Sequence, residues 1–404
     1  MVAFEREYDV VVCGAGVAGI AAALQAARRG CKTALVEKTI LPGGLATSGI
    51  IFLYLPLCDG NGTQVTFGIA EELLHLSTRY GPGKVPGGWR QARNAASEEE
   101  RYAVGFSPAS FVLALDEALG EAGVHVWLDS LVAGVVMHGQ RVAGVEVETK
   151  GGRGRLFARC AVDATGDANV AWRAGAPCVE GGNILSIWAI QASLEAARNA
   201  LETGTAEPLL DLVSLGEEWS GLIPSLASHQ RAGTDAGSVT QFVLDGRRLL
   251  REHFAEKQRA TGDDGRCKYY PLLLPSMAQF RMTRRIVGRT TMAERQHGRR
   301  VADSVGLYAD WRTAGHVWEV PYGALLPERI EGLLVAGRCI AADGDAWDVM
   351  RVIPAAGLTG QAAGMAAALA VGRQALPGDI EPSAIQQALG RMGVPCHLSE
   401  VYPA

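Results

Sequence analysis

The sequence predicts an α/β protein, a mostly parallel sheet with a β-meander, in a domain made discontinuous by an α+β unit inserted in its middle. Three observations predict it. The first forty residues run as apolar strand, small-residue helix and second apolar strand. Three strands with tight turns follow between Val124 and Val162. A short apolar strand and a Gly-rich helix then reappear only after Val320. At 404 residues the chain is long for one domain, and two or three of roughly 100–200 residues are expected. The expected divisions are 1–176 and 319–375 for the two parts of the sheet domain, 177–318 for a cap or substrate unit, and 376–404 for a C-terminal helix and tail.

The opening unit carries the clearest chemistry. The strand from Tyr8 enters Gly14-Ala15-Gly16-Val17-Ala18-Gly19, and the second strand, Thr33-Ala-Leu-Val, closes on Glu37-Lys38. Gly14 permits a tight turn, Gly16 lets a pyrophosphate approach the backbone, and Gly19 allows the helix to pack on the strand. The helix N-terminus offers free N–H groups to that pyrophosphate, and Glu37 can accept a ribose hydroxyl. The pattern is that of a dinucleotide site. A second glycine loop follows, Gly43-Gly44-Leu45 through Thr47 and Ser48, with two hydroxyls beside a backbone a ligand can approach.

Residues Gly68–Tyr80 and Pro108–Ala122 have helical apolar spacing, and Gly81–Gly88 reads as a Pro/Gly loop. The meander takes Val124–Met137, Arg141–Thr149 and Arg155–Val162, turns at Gly139-Gln140 and Gly151-Gly152, and ends in Asp163-Ala164-Thr165-Gly166-Asp167. Between Pro177 and Trp318, helical stretches such as Gln191–Glu202 and Gly237–Arg259 alternate with polar linkers. The strand Leu333-Leu-Val-Ala-Gly337-Arg338 and the helix Gly357–Ala370 restore the first character, and a last helix follows Pro382.

Composition bounds the partners. The net charge is −5, from 43 acidic and 38 basic residues, without a long basic run. Neither nucleic acid nor an anionic membrane surface is therefore expected. Val10–Ala27 and Ala355–Val371 lack charges but are short and rich in Ala and Gly, so both are expected to be buried. A soluble, cytoplasmic protein is the expectation. The eight cysteines are scattered without a Cys-x-x-Cys pair, so buried thiols and no metal site are expected.

With these motifs in place, the chain resembles the FAD-dependent oxidoreductases of the glutathione-reductase structural class, nearest the branch related to fumarate reductase flavoproteins. Four motifs carry the resemblance: Gly14-x-Gly16-x-x-Gly19 with Glu37; Gly43-Gly44 with Thr47; Asp163-Ala-Thr-Gly166-Asp; and Leu334-Val-Ala-Gly337-Arg with Gly357-x-x-Gly360-x-Ala-Ala-Gly364. It implies a Rossmann-type FAD-binding domain. It places Gly14–Gly19 on the pyrophosphate, Glu37 on the adenosine ribose, Val132 beside the adenine and Ala164–Gly166 along the adenosine side. Gly337 and Arg338 would lie near the ribityl phosphate. The start of the Gly357–Ala370 helix, with Thr359 and Gly360, would face the pyrimidine edge of the flavin, where a helix dipole stabilises the negative charge of the reduced ring. Only one nucleotide fingerprint is present, which disfavours a separate NAD(P) domain. Ile40–Thr47 carries no His for covalent attachment, so a non-covalent flavin is expected.

Three stretches can supply substrate chemistry. In Arg281-Met-Thr-Arg-Arg-Ile-Val-Gly288, Arg284 or Arg285 can bind an anionic or hydroxyl-rich substrate, or else lie on a helix surface or in a domain-joining salt bridge. In Asp343-Gly-Asp345-Ala-Trp-Asp348-Val-Met-Arg351, Arg351 can face the substrate or pair with Asp345 or Asp348. His316 can act as a base; His297, Tyr322 and Tyr270 are weaker candidates. Trp188, Trp311 and Trp347 are expected to pack in cores. The expected activity is hydride transfer between a small polar metabolite and flavin N5. The alternatives are a flavin monooxygenase, in which the element Val335-Ala-Gly337-Arg338 would stand where that class carries its late glycine motif, or a flavin-fold binding protein without cofactor. Substrate identity, electron acceptor and homo-oligomerisation are left open by the sequence.

Overall fold

The computed structural model describes residues 2–87, 103–216 and 231–402; Gly88, the end of the expected Pro/Gly loop, lies outside them. A seven-stranded sheet organises the larger domain. Its spine is the strand Gly152–Asp163, which pairs in parallel with Phe4–Cys13 along one edge. On its other edge the first half pairs antiparallel with Arg141–Thr149, and the last three residues pair in parallel with Leu333–Val335. One strand thus joins the meander to the parallel sheet. Beyond Phe4–Cys13 lie Thr33–Val36 and His125–Trp127, both parallel. The central strands read as continuous apolar runs because both faces are covered.

The register sets the carboxyl ends in a row. Cys13 is opposite Val36 and Asp163, and Asp163 is opposite Val335. The four motif loops of the sequence therefore emerge side by side, where open α/β sheets bind ligands.

Helix Val17–Arg28 packs against the closing helix Ile353–Arg373. Small residues make the contact possible: a Cβ on Gly360 would lie 2.1 Å from the Ala18 carbonyl oxygen, and one on Gly364 would lie 2.4 Å from that of Ala22. Ile353–Arg373 is long and apolar enough to cross a membrane by composition, yet most of it is buried inside the fold. The Ala and Gly content reflects backbone-close packing.

Several expectations change. The run Val124–Met137 is two strands, His125–Trp127 and Leu131–His138, broken at Asp129, whose φ of 52° no strand accommodates. The first piece joins the parallel edge and only the second enters the meander. Gln191 lies in the strand Ser186–Ser193, and the helix expected from it begins at Leu194, capped by Ser193. The hairpin Ser304–Ala309 and Val317–Pro321 straddles the expected boundary at 318 and sends Val305, Tyr308 and Trp318 into the main core. These apolar residues bury against the sheet domain.

The inserted unit has cores of its own. A three-stranded antiparallel sheet, Asp211–Gly216, Ser186–Ser193 and Tyr269–Leu273, is covered by the helix Ala236–Ala260. Leu250 and Phe254 of that helix bury with Ile187, Ala189 and Val213, while Phe242 packs on Phe280 with ring centroids 4.4 Å apart. Asp235 caps the helix by accepting from Ser238 N.

Candidate active site

A cleft of about 800 Å³, counting its open mouth, runs across the carboxyl ends of the sheet. Every motif loop contributes: Gly14, Gly16, Val17 and Ala18; Glu37 and Lys38; Gly43, Gly44 and Leu45; Ala164, Thr165 and Gly166; Gly337 and Arg338. Val132 lines a smaller cavity that adjoins it through Gly14, Glu37 and Thr165.

The glycines divide by function. Gly14 has φ +95°, and a Cβ there would lie 2.6 Å from the Ala164 carbonyl oxygen; one on Gly19 would lie 1.8 Å from that of Gly14. These two positions are fixed by the protein's own backbone. Gly16 instead faces open space, with nothing within 4 Å of a Cβ. That is the cradle a pyrophosphate needs at the N-cap of Val17–Arg28. The Ser48 hydroxyl, also on the cleft wall, is buried without a hydrogen-bond partner, an arrangement native proteins complete with a ligand or water. The residues present fit FAD.

Other predicted residues hold the cradle together. Glu37 Oε2 accepts from Ala15 N at 2.8 Å and Oε1 from Thr39 N at 2.9 Å, so the acid ties the second strand to the glycine loop while its side chain borders the cleft. Thr47 donates to the Pro42 carbonyl at 2.6 Å and closes its own loop. Thr359 is fully buried; its hydroxyl accepts from Gly337 N at 3.0 Å and donates to the Ala355 carbonyl. Gly357 and Gly360 lie in helix packing, against Ala70 and Ala18. The helix starts at Ile353, four residues before the expected Gly357, and Val352, Ile353 and Ala356 form the cleft wall.

Asp163 and Asp167 flank the Ala-Thr-Gly motif and hold its loop. Fully buried Asp163 accepts from Val170 N and Ala171 N at 2.8 and 2.9 Å and from the Thr165 hydroxyl at 2.7 Å. Burial raises its pKa against these hydrogen bonds. Asp167 pairs with Arg338 at 2.6 Å. Burial pushes its carboxyl up, but Arg338 and the Thr283 hydroxyl outweigh this and hold it below the usual range.

The three substrate candidates separate. Arg351 lines the cleft and is bound through Nη2 and Nε to Asp348 Oδ1 at 2.6 and 2.8 Å, so it both faces the site and holds its loop. Arg312 takes the other oxygen of Asp348 at 2.7 Å and grips Asp310. Arg285 lies outside the cleft lining; it meets Asp343 at 3.1 Å and stacks over Trp347, while Arg284 lies over Trp172. Their strand, Arg284–Ile286, pairs with Cys178–Glu180 and points both guanidinium groups into protein contacts. His316 also lies outside the cleft lining, stacked on His297 at 3.6 Å between ring centroids. Tyr322 donates to the Pro377 carbonyl, and Tyr270 is exposed on the inserted unit.

The residue missed is Arg281, the first of the same quoted segment. Asn183 Oδ1 accepts from Arg281 N and Met282 N at 2.7 and 2.9 Å and fixes the backbone there. The guanidinium lies over Trp188 and donates only to the Gln279 carbonyl, at 3.3 Å. Among the described residues it has no carboxylate within ion-pair distance. Burial lowers its pKa, and the nearby Arg351 and Arg338 lower it further. Met277, also on the cleft wall, lies in the stretch just before Arg281, which docks through Ser276 N on the Ser48 carbonyl at 2.9 Å and Gln279 Nε2 on that of Gly49 at 2.5 Å.

A family model described as FAD dependent oxidoreductase matches residues 9–186 and 196–389. A thioredoxin reductase of Ureaplasma parvum serovar 3 is 36% identical over 73 residues, 18% of this chain and 24% of its own. The chain thus spans about a quarter of that relative's length. Among solved structures, a geranylgeranyl bacteriochlorophyll reductase-like protein of Thermoplasma acidophilum matches over 96% of this chain and 83% of its own, with 15% identity and TM-score 0.47. A flavocytochrome c3 fumarate reductase matches over 91% and 79%, with 14% identity and TM-score 0.39. These structural likenesses are distant and say nothing of substrate.

Proposed function

Since the chain belongs to the FAD dependent oxidoreductase family, we propose that it transfers a hydride between a small carboxylate- or hydroxyl-bearing metabolite and its flavin. FAD supplies the two-electron acceptor, at N5. The protein residues bind, orient and exclude water. Gly16 and the first turn of Val17–Arg28 would hold the pyrophosphate of bound FAD. Val352, Ile353 and Ala356 present the N-terminus of the closing helix to the cleft.

The observation that carries the reading is the charge around Arg281. Asp167, Asp348 and Asp310 pair with Arg338, Arg351 and Arg312, and among the described residues Arg281 is left without a counter-ion. An enclosed guanidinium of this kind favours an anionic group on the ligand. This supports the carboxylate over the neutral alcohol.

The test is anaerobic. The flavin absorbance of the purified holoprotein is followed while hydroxy acids, saturated acids and neutral alcohols are added in turn. Bleaching by acids and not by the matched alcohols supports the reading. Oxygen consumption with a hydroxylated product would instead show a monooxygenase. Bleaching by neutral alcohols alone would remove the role given to Arg281.

A further inference from the structure

A second cavity opens in the inserted unit against the wall of the first. Its lining includes Ile187, Phe242, Val243, Leu274 and Met277, with Gly246 between them, and it encloses about 500 Å³ with its mouth. Apolar side chains that border unfilled space lose dispersion contacts, which an apolar ligand restores. Gly246 stands in the interior of the helix Ala236–Ala260, where Ala would favour the helix by about 1 kcal/mol. A Cβ there would come within 3.0 Å of Ile187 Cδ1, so glycine sets how closely helix and strand approach at this wall.

Two observations connect the cavity to the cleft. Met277 lines both. Four residues on, the same segment ends at Arg281, whose guanidinium lies on Trp188, the neighbour of Ile187 in the cap strand. At Met277 the cleft, with Arg351 on its wall and Arg281 close behind it, adjoins a chamber that is mostly apolar, with Arg247 and Ser276 also in its lining. The Gln279 side chain at the cavity is already engaged, accepting from Trp188 N and donating to the carbonyls of Trp188 and Gly49.

We propose that the substrate is an organic acid with an extended apolar portion, its carboxylate toward Arg281 and Arg351 and its hydrocarbon lodged past Met277 in this cavity. The inference rests on the reading of the cleft as an anion-accepting flavin site. It replaces a uniformly polar metabolite with an amphipathic one.

Calorimetric titration of the holoprotein with butanoate, octanoate and octan-1-ol tests it. Octanoate is expected to bind at least tenfold more tightly than butanoate, since each buried methylene contributes about fourfold. Val243→Trp fills the cavity and is expected to collapse that advantage. Arg281→Met is expected to weaken both acids and to abolish the preference of octanoate over octan-1-ol. Flavin content and melting temperature report on the fold of each variant, and Ala278→Leu serves as a second filling variant if Val243→Trp loses flavin. Equal affinity for the two acids, or a chain-length preference that survives a folded filling variant, overturns the proposal. If butanoate binds and octanoate gains nothing, only the apolar portion fails. If neither acid binds or bleaches the flavin, the anion reading fails with it.

Discussion

Arg338 Nη2 lies 2.6 Å from Asp167 Oδ1, and its Nε donates to the Gly166 carbonyl at 2.7 Å. The pair joins the loop after Gly152–Asp163 to the loop after Leu333–Val335, two segments separated by the whole inserted unit. The Thr283 hydroxyl donates to the same Asp167 oxygen at 2.7 Å and brings that unit into the junction.

Asp167→Asn is expected to destabilise the protein at pH 7 by about 1–3 kcal/mol, the cost of leaving a buried charge partly unpaired. The folded pKa of Asp167 lies below its ordinary 3.8. Its stabilisation is therefore fully present above about pH 4 and is lost as pH falls through the lower folded value. Denaturant melts of both proteins between pH 7 and 3 should converge at the acid end. A constant difference would contradict the ion pair.

Gly16→Ala and Gly19→Ala should behave as opposites. The Gly19 Cβ would strike the Gly14 carbonyl, so Gly19→Ala is expected to cost about 3 kcal/mol or more of stability. Gly16→Ala has room in the protein alone and should melt near the wild type without flavin, yet lose FAD affinity tenfold or more, about 1.4 kcal/mol. Apo-protein melts and flavin titration separate the two.

Arg351→Met and His316→Ala contrast a residue on the cleft with one away from it. Arg312 still holds Asp348 in the first variant, so the loop should persist while kcat/KM for an acid substrate falls tenfold or more. His316→Ala should keep kcat within about twofold, because the imidazole stacks on His297 outside the cleft lining. Steady-state rates across pH 6–9 check both, and a lost pH limb in His316→Ala would restore it as a base.

Thr359→Val removes the acceptor for the buried Gly337 N–H. A loss of about 1–3 kcal/mol is expected, with weaker FAD binding because Gly337 borders the cleft. Thr359→Ser should recover most of both, as read from melting temperature and flavin retention.

The sequence carried the nucleotide half well because its signals are local. Gly14, Gly16 and Gly19 sit at spacings that one strand–turn–helix unit dictates, and Glu37 follows at the end of the next strand. The substrate half was less legible. Arg281, Arg284 and Arg285 lie within five residues and are chemically alike; only the pairing of Arg284–Ile286 with Cys178–Glu180 commits two of them to protein contacts. Met277 gave no local signal. The break at Asp129 was hidden because alternation continues on both sides, while the backbone turns when Asp129 N and Ser130 N donate to the carbonyls of Thr39 and Glu37.

The sequence by itself determined the α/β class, the interrupted sheet and FAD as the cofactor, because strand periodicity and glycine spacing act over short range. The tertiary structure decided which of Arg281, Arg284 and Arg285 lacks a counter-ion among the described residues, that Thr359 pins Gly337 instead of lining the cleft, and that His316 stands apart. Each depends on groups distant in the chain, such as Gly337 with Thr359 and Asp348 with Arg312. Burial and charge pairing are set by the packed neighbours, and spacing along the chain does not encode them.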